Sequence, residues 1–393
     1  MKTRRFVGLA TGSCLSWLLV CCLTALPEIG AKPPEARAPQ APAPAAYLQL
    51  SGPCGLKFPR DHGAHPGYRS EWWYYTGNVR AHTGERFGFQ LTFFRHQISP
   101  AGAEALWPSP PSPWRTSQVY FAHAALTDIN SRQFYQSETM TRGALGMAGA
   151  QQYNDQTTVF IKNWQVAMQG PAHQLQAQSD DFQLRLLLEA QKEPVPHGLS
   201  GYSRKGTLPE SASCYYSITR LSASGTLTVK GAPYEVEGLA WMDHEYSSAP
   251  LEPSLVGWDW FSIQLADQSE LMLYLLRQRD GALHPASSGT FVNRAGQALH
   301  LDAEAFAVEV LDDWMSPHTG TRYPHRWRLK VPSRQLDLTL EPQLDDQEMR
   351  TTQPANIAYW EGSVSVRGSA GGSPVSGTGY AELTGYAGAL PMF

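Results

Sequence analysis

Apolar and polar residues alternate along most of this chain, and the period of two constrains its fold more than any other feature. In RFGFQLTFFR (86–95), Phe87, Phe89, Leu91 and Phe93 fall on one face. Further alternating segments lie at 157–168, 181–190, 225–231, 234–242, 258–266, 270–277, 326–331, 335–342, 359–368 and 377–386. Such segments between Gly, Pro, Asn and Asp predict antiparallel strands, and no long stretch repeats every 3.6 residues. The chain is therefore predicted to be all-β.

The order of these segments repeats within the chain. EWWYYTGNVRAHTGERFGFQLTFFR (71–95) and GWDWFSIQLADQSELMLYLLR (257–277) each contain an aromatic strand, a turn, and an apolar strand that ends in Arg. Two copies of one β unit are predicted, split near Pro250. Closing each unit into a barrel removes its exposed edges, so we favour two barrels over stacked sheets. The predicted domains are 50–250 and 251–393.

The N-terminal residues have the pattern of an export signal. MKTRR is basic, an apolar stretch follows, and small residues suited to cleavage come next. We expect a signal peptide (1–31), a Pro/Ala-rich linker (32–49), and a periplasmic or secreted mature protein. A retained membrane anchor is the alternative. Lipoprotein anchoring is less favoured, because Val20 and Cys21 are poor residues before a lipidated Cys.

Charge and cysteine content limit the partners and the compartment. Removal of residues 1–31 takes away three basic residues and one acidic residue, which changes the net charge from −4 to −6. No basic stripe remains, so a nucleic-acid partner is not expected. Cys54 and Cys214 are the cysteines left after cleavage. In an oxidising compartment they could pair, and the sequence leaves this open.

Three consecutive ionisable residues, Asp243, His244 and Glu245, interrupt a strongly alternating strand. Along a strand, Asp243 and Glu245 share a face with Trp241, and His244 points the other way. If that face meets an aromatic cavity, burial raises a carboxyl pKa and makes Asp243 a candidate general acid. A solvated strand end is the alternative. At the matching point of the second half stands a single acid, Glu382.

A second polar cluster precedes the first aromatic strand. Asp61, His62, His65 and Glu71 offer enough ligands for zinc. Gly and Pro in this stretch indicate an irregular loop, however, so we predict no metal and no cofactor. His65 and Glu71 are assigned, with His244 and Glu245, to the polar shell around Asp243.

The aromatic pairs are candidates for ligand contacts. Trp72 and Trp73 must point to opposite faces, one into the first barrel and the other towards the second copy, where Trp258 and Trp260 share a face. Arg95 could stack on these indoles or pair with Glu71. The predicted ligand-binding residues are Trp72, Trp73, Tyr75, Trp241, Tyr246, Trp258, Trp260, Arg95 and His123.

Several long motifs resemble one family of secreted proteins. DHGAHPGYRSEWWYYTGN, VYFAHAALTD, GLAWMDHEYSS, GWDWFSIQL and GTGYAELTGY are similar to the AttH-like, carotenoid 1,2-hydratase-related proteins, also described as predicted secreted hydrolases. The resemblance runs from about residue 50 to 388 and implies two tandem lipocalin-like (calycin-type) β-barrels. In the hydratases, an acid two positions after an aromatic residue is thought to protonate a double bond. That position is Asp243 here, after Trp241, where the hydratases look like they carry Tyr.

These observations leave more than one class of function open. The resemblance and the aromatic content favour a protein that binds or transforms an apolar small molecule, such as a terpenoid, carotenoid or lipid. If it is an enzyme, hydration of a double bond by Asp243 is expected, as a hydro-lyase, with a hydrolase as the other class. A non-enzymatic carrier, or a module that contacts the cell envelope or membrane lipid, is the alternative.

Overall fold

The computed structural model describes residues 46–388, and every structural statement below concerns these residues. The predicted signal peptide (1–31) and residues 32–45 of the predicted linker lie outside them. Within the described part, no helix has the length and apolar character needed to cross a membrane.

The first sheet is formed by thirteen strands. They are β1 (Ser70–Ala81), β2 (Arg86–Gln97), β3 (Gln118–Asp128), β4 (Gln133–Arg142), β5 (Ala148–Tyr153), β6 (Gln156–Ile161), β7 (Trp164–Gln169), β8 (Ala172–Gln178), β9 (Phe182–Ala190), β10 (Val195–Pro196), β11 (Tyr202–Arg204), β12 (Ala212–Val229) and β13 (Ala232–Ser247). We call this sheet A.

The second sheet, sheet B, contains ten strands. They are β14 (Leu255–Leu265), β15 (Glu270–Gln278), β16 (Ser288–Val292), β17 (Ala298–Asp302), β18 (Ala307–Met315), β19 (Arg322–Val331), β20 (Leu336–Pro342), β21 (Glu348–Thr351), β22 (Ile357–Ala370) and β23 (Ser373–Leu383). Short 3-10 helices occur at Arg60–His62, Ala103–Leu106, Ala303–Ala305 and Pro332–Arg334. The all-β prediction is confirmed.

Both sheets have the connectivity of lipocalin-like barrels, and they share one arrangement. Sheet A runs β4-β3-β2-β1-β13-β12-β9-β8-β7-β6-β5 and is nearly closed, while sheet B runs β17-β16-β15-β14-β23-β22-β20-β19-β18. In each, the first strand lies between the second and the last strand of its own sheet. This common order is the structural form of the repeat seen in the sequence. Whether residues 50–250 and 251–393 behave as separate domains stays a prediction.

Alternation along the strands separates two kinds of packing. One face of sheet A encloses an aliphatic and aromatic core that includes Trp73, Phe89 and Leu184, and sheet B encloses its own core around Phe261 and Trp327. The opposite faces of β1, β12, β13, β14, β15 and β23 meet between the sheets. Burial of these apolar surfaces is the main stabilising contribution, at about 25 cal/mol per Å².

The contact between the two sheets is polar as well as aromatic. Gln264 on β14 donates from its side-chain amide to the backbone carbonyls of Thr219 (2.9 Å) and Ala240 (2.8 Å). Glu270 on β15 accepts from Arg220 at 2.6 Å and from Lys192 at 2.7 Å. These bonds fix the position of sheet B against β12 and β13, so that side chains on the facing surfaces have defined neighbours.

A disulfide ties the segment before β1 to sheet A. Cys54 and Cys214 are joined, with 5.8 Å between their Cα atoms, which answers a question that the sequence leaves open. Cys214 lies on β12, directly opposite Tyr246 of β13. The link therefore holds the loop that carries His62 and His65 close to the end of the central strands.

Candidate functional site

The two faces of β13 divide the predicted site residues between two places. Asp243 lies opposite Tyr74 of β1 and Ser217 of β12, on the face that meets sheet B. His244, next along the strand, points into sheet A and stacks on Trp73 at 4.8 Å between ring centroids. The proposed polar shell is therefore not one group, because strand alternation puts His244 on the far side of the sheet from Asp243.

Asp243 is the centre of a group of hydrogen bonds between the sheets. Its carboxyl accepts from Tyr215 Oη at 2.6 Å and from Trp241 Nε1 at 2.6 Å, and it also accepts from the Ser217 hydroxyl. Only 4% of the residue is exposed. Burial raises the pKa of Asp243 to about 7, although these hydrogen bonds oppose the rise. The carboxyl therefore exchanges its proton near neutral pH.

The donors to Asp243 are themselves held by other side chains. His197 places Nε2 2.6 Å from Ser217 Oγ, and its Nδ1 lies 2.8 Å from the hydroxyl of Thr290 on β16. Trp260 of β14 donates to Tyr215 Oη at 3.0 Å. Two hydrogen-bond chains thus connect Asp243 to sheet B, and they fix the orientation of its carboxyl.

Three further acids face Asp243 or lie beside it; we call Asp243, Glu245, Glu361 and Glu382 the interface carboxyl cluster. Glu361 on β22 and Glu382 on β23 are directly opposite each other across the strand pair. Trp258 Nε1 donates to Glu382 at 2.9 Å. Burial raises the pKa of both glutamates, and the charges of Asp243 and Glu245 raise that of Glu382 further. These groups therefore interact across the contact between the sheets.

Lys205 brings a positive charge to one end of this cluster. Its Nζ lies 3.2 Å from Glu245 and 3.9 Å from the centroid of the Tyr274 ring. Burial is the largest single effect and would lower the pKa of Lys205, but the surrounding groups, chiefly Glu245, together outweigh burial and raise the pKa. Lys205 is therefore charged and neutralises Glu245, which leaves Asp243, Glu361 and Glu382 as the acids without a direct cationic partner in the described residues.

Aromatic rings surround the carboxyl groups. Trp260 contacts Tyr74 edge to face at 5.2 Å and Trp241 at 6.3 Å between centroids. Trp72 and Trp258 pack at the margin of this cluster and are only partly buried. As predicted, Trp72 and Trp73 point to opposite faces, and Trp72 is the one that faces the tryptophans of the second copy. Ring faces of this kind can stabilise a positive charge.

The other predicted residues form a second group inside sheet A, which we call the buried histidine network. Glu71 accepts from Arg95 Nε at 2.8 Å, and its Oε1 lies 2.7 Å from His65 Nδ1 and 2.9 Å from His244 Nε2. The predicted Arg95–Glu71 pair is thus present. Burial alone would raise the pKa of Glu71, but Arg95 and the two histidines lower it instead. Glu71 is an anion held by cations and donors, which is a poor state for a proton donor.

The same network contains three side chains of the types that bind metal ions. One ligand atom from each of His65, Glu71 and His244 lies within 4.8 Å of the others. However, the second oxygen of Glu71 is bonded to Arg95, and the remaining ring nitrogens of His65 and His244 face Asp61 and Tyr216. Every atom of the set has a partner and a guanidinium lies beside it, so the geometry fits a hydrogen-bonded ion network better than a divalent cation.

The remaining predicted residues lie apart from Asp243. Tyr75 points into sheet A, where its hydroxyl is 2.8 Å from His173 Nδ1. Tyr246 stacks on His65 at 3.7 Å between centroids. His123 makes a separate contact between the sheets, 2.8 Å from the hydroxyl of Tyr359. Their roles as ligand-binding residues stay predictions.

Several members of the site were not found from the sequence. Their neighbours in the sequence form no recognisable motif, and their roles depend on which strands become adjacent. These residues are Tyr74, Tyr215, Ser217, His197 and Glu361. Glu382 could have been found from the sequence, because the internal repeat aligns it with Asp243. That correspondence could have indicated an acid on each side of the contact.

The fold and the site define a two-barrel, lipocalin-like protein with buried acids between its barrels. The model of the AttH-like family matches residues 49–386, and the chain belongs to that family. An AttH crystal structure from Nitrosomonas europaea is 32% identical, with a TM-score of 0.75, and the match covers 86% of this chain and 100% of that one. A comparison with curated protein sequences returns no match.

Two more distant structures share the fold. Kievitone hydratase from Nectria haematococca has a TM-score of 0.64 at 15% identity, over 88% of this chain and 97% of that one. CghA, solved with Sch210972, has a TM-score of 0.50 at 13% identity, over 88% and 95% of the two chains. At these identities the likeness concerns the fold.

Proposed function

We propose that this protein is a hydratase-type enzyme that adds water to an isolated double bond of an apolar molecule. The observation that carries the proposal is Asp243, a carboxyl buried among aromatic rings between the two barrels, whose pKa is raised to about 7. A general acid must hold its proton at the working pH, and burial provides this. A hydratase with 15% identity has the same fold, so the fold is compatible with the proposed chemistry.

The chemistry requires an acid, a stabilised cation and water. Asp243 transfers its proton to one carbon of the double bond, which leaves a tertiary carbocation on the other carbon and a carboxylate on Asp243. The oxygen of water then bonds to the cation and releases a proton to the carboxyl cluster. The rings of Trp241, Trp260 and Tyr74 supply negative faces to the cation during its lifetime.

Access to Asp243 is expected past the partly buried margin. Trp72 and Trp258 lie there, together with Glu382, whereas Asp243 itself is closed off from solvent. An apolar substrate would enter by displacing one of these indoles. Burial of its hydrocarbon surface against the rings would favour binding by about 25 cal/mol per Å².

The test compares the purified mature protein with Asp243→Asn and with Asp337→Asn, which makes the same change in a surface pair with Arg328. Each is incubated with acyclic terpenoids and carotenoids, and mass spectrometry follows the gain of one water. Hydration by the parent and Asp337→Asn, with a loss of about 100-fold or more in Asp243→Asn, is expected. Equal rates in Asp243→Asn would contradict the proposal, and unchanged substrate bound to all three would indicate a carrier.

Export is part of the proposal. The Cys54–Cys214 disulfide supports an oxidising compartment, because such bonds rarely persist in the cytosol. We infer that the mature chain is periplasmic or secreted. The intact mass of the protein recovered from the cell envelope or the medium should correspond to a chain cleaved after Ala25 or Ala31, and an uncleaved mass there would contradict the inference.

A further inference from the structure

The buried pair of glutamates on sheet B has no role in the first step of the proposed reaction. Glu361 is 1% exposed and Glu382 is partly buried, and the two residues are directly opposite each other on β22 and β23. Two carboxylates held this close do not both ionise readily, so the pair tends to retain one proton between them. A pair of this kind can accept a second proton without building up charge.

Two buried polar atoms beside this pair lack a well-formed hydrogen bond. Within the described residues, neither the Tyr74 hydroxyl nor Glu361 Oε1 makes a hydrogen bond of good geometry, although both are buried and the two groups lie beside each other. Buried polar atoms are nearly always paired, and a hydroxyl together with a carboxyl oxygen can donate to and accept from one small oxygen ligand. Tyr74 is also the residue directly opposite Asp243 on β1. The two atoms therefore place such a ligand on the same side as the proposed acid.

The positions of the two glutamates suggest different roles. Glu382 reaches the partly buried margin beside Trp258, whose indole N–H donates to one of its oxygens and fixes its orientation. Glu361 lies deeper, with its carboxyl beside the Tyr74 hydroxyl. Glu382 is thus the member of the pair that an incoming water can reach.

We propose that Glu382, supported by Glu361, is a second catalytic carboxyl, which takes the proton from the water that adds to the double bond. This inference rests on the proposed function and assigns the proton acceptor for its second step, the addition of water. The water forms a C–O bond with the carbocation, its O–H bond breaks, and the proton passes to Glu382 as Asp243 remains deprotonated. Return of that proton to Asp243 through a water completes the cycle, so that no other reactant is consumed.

The assignment has a consequence that does not depend on the substrate. A carboxylate placed to accept this proton lies next to the carbocation, so a stable cation of the same shape should bind there more tightly than a neutral one. N,N-Dimethyldecylamine carries a positive charge at pH 8 and has a tertiary centre at the end of an apolar chain. Its neutral counterpart is 2-methyl-2-dodecanol, in which a carbon that carries a hydroxyl takes the place of the nitrogen, and which resembles a hydrated product.

The experiment measures binding of both compounds at pH 8 to the mature parent, Glu382→Gln and Glu341→Gln. Glu341 is a partly exposed glutamate of sheet B that pairs with Arg367, and it serves as the control. We expect Glu382→Gln to lose about tenfold or more of the amine affinity and to keep its affinity for the alcohol, while Glu341→Gln matches the parent. Folding is checked by thermal unfolding, and removal of a carboxyl with a raised pKa should not lower the midpoint.

The outcomes separate this inference from the proposed function. Failure of the parent to bind the amine, or equal amine affinity in the parent and Glu382→Gln, overturns the assignment of Glu382. Full hydration activity in Asp243→Asn overturns the proposed function instead. If the parent hydrates a substrate and Glu382→Gln does so at the same rate, Asp243 keeps its role and Glu382 loses the one proposed here.

Discussion

At the scale of single residues, the same chemical group behaves in opposite ways on the two faces of one strand pair. Glu71 has its pKa lowered by Arg95 and two histidines inside sheet A, whereas Asp243 has its pKa raised to about 7 on the face towards sheet B. The difference is the presence of a cation, since both carboxyls are buried. The first arrangement gives a stable anion, and the second gives an acid that holds its proton.

The raised pKa of Asp243 predicts a pH-dependent stability. The carboxyl is protonated in both states at low pH, and as the pH rises from about 4 to about 7 the unfolded chain loses this proton while the folded protein keeps it. The unfolded state is therefore favoured increasingly, by up to about 4 kcal/mol once the pH exceeds the folded pKa. Asp243→Asn removes this penalty, so its free energy of unfolding should improve relative to the parent between pH 5 and pH 8.

Urea unfolding of both proteins across that range checks the prediction. The informative quantity is how the difference between the two free energies of unfolding changes with pH. Loss of hydrogen bonds from Tyr215, Ser217 and Trp241 lowers the free energy of unfolding of the variant by a constant amount at every pH. Glu361 and Glu382 contribute a slope of the same sign to both proteins, which cancels in the difference except for the part of the Glu382 shift that the Asp243 charge causes. A difference that stays constant with pH would argue that Asp243 titrates normally in the folded protein.

At the scale of secondary-structure elements, most predicted segments are strands, but one contained a hidden turn. The segment 157–168 reads as a single alternating strand, yet it forms β6 and β7 with a hairpin between them. Lys162 adopts a φ of 54° at this turn, and a lysine in the sequence does not predict a positive φ. Alternation continues through the two-residue turn, so the pattern alone could not reveal it.

The disulfide holds the segment before β1, which contains no strand of its own. It closes a loop of 160 residues and fixes the segment before β1 against β12. The double variant Cys54→Ser with Cys214→Ser should lose about 2–5 kcal/mol of unfolding free energy, because the unfolded chain gains the freedom that the link removes. Urea unfolding of the oxidised parent and the variant measures this change. Coincident curves would mean that the segment is held by its other contacts.

At the scale of the whole molecule, the two barrels meet over a close contact that depends on a small residue. A Cβ added at Gly88 of β2 would lie 2.7 Å from Ser363 Cβ and 2.9 Å from Tyr380 Oη on sheet B. Nearby, Asn78 Nδ2 donates to the backbone carbonyl of Gly379 at 3.1 Å. The approach of the sheets in this region sets the separation across the interface carboxyl cluster as well.

Gly88→Val is therefore predicted to disturb the contact between the barrels. The side chain would force the sheets apart, at a loss of about 1–3 kcal/mol in unfolding free energy. Trp260 and Trp241 should become more exposed, which a red shift of the tryptophan fluorescence would report. Gly52→Val is the control, because a Cβ there meets no atom within 4 Å. Equal stability and equal fluorescence in the two variants would show that the sheets tolerate the added volume.

The sequence by itself determined the strands, their two faces and the repeat. Each depends on residues close together in the chain, because alternation with a period of two is a local property of the backbone. On that basis Asp243 and Trp241 share a face, Trp72 and Trp73 do not, and the all-β fold follows. The family motifs agreed with the two barrels and with Asp243 as the acid, both of which the residue pattern had already favoured.

Only the tertiary structure decided which side chains meet. Tyr215, Ser217 and Asp243 become neighbours through the register of β12 against β13, and Glu382 comes near Asp243 through the packing of one barrel on the other. These contacts join residues far apart in the chain, and many registers satisfy the same alternation. Burial follows from the same packing, and it is burial that keeps a proton on Asp243. The acid could therefore be named from the sequence, while its chemistry depends on the surroundings that the two barrels create together.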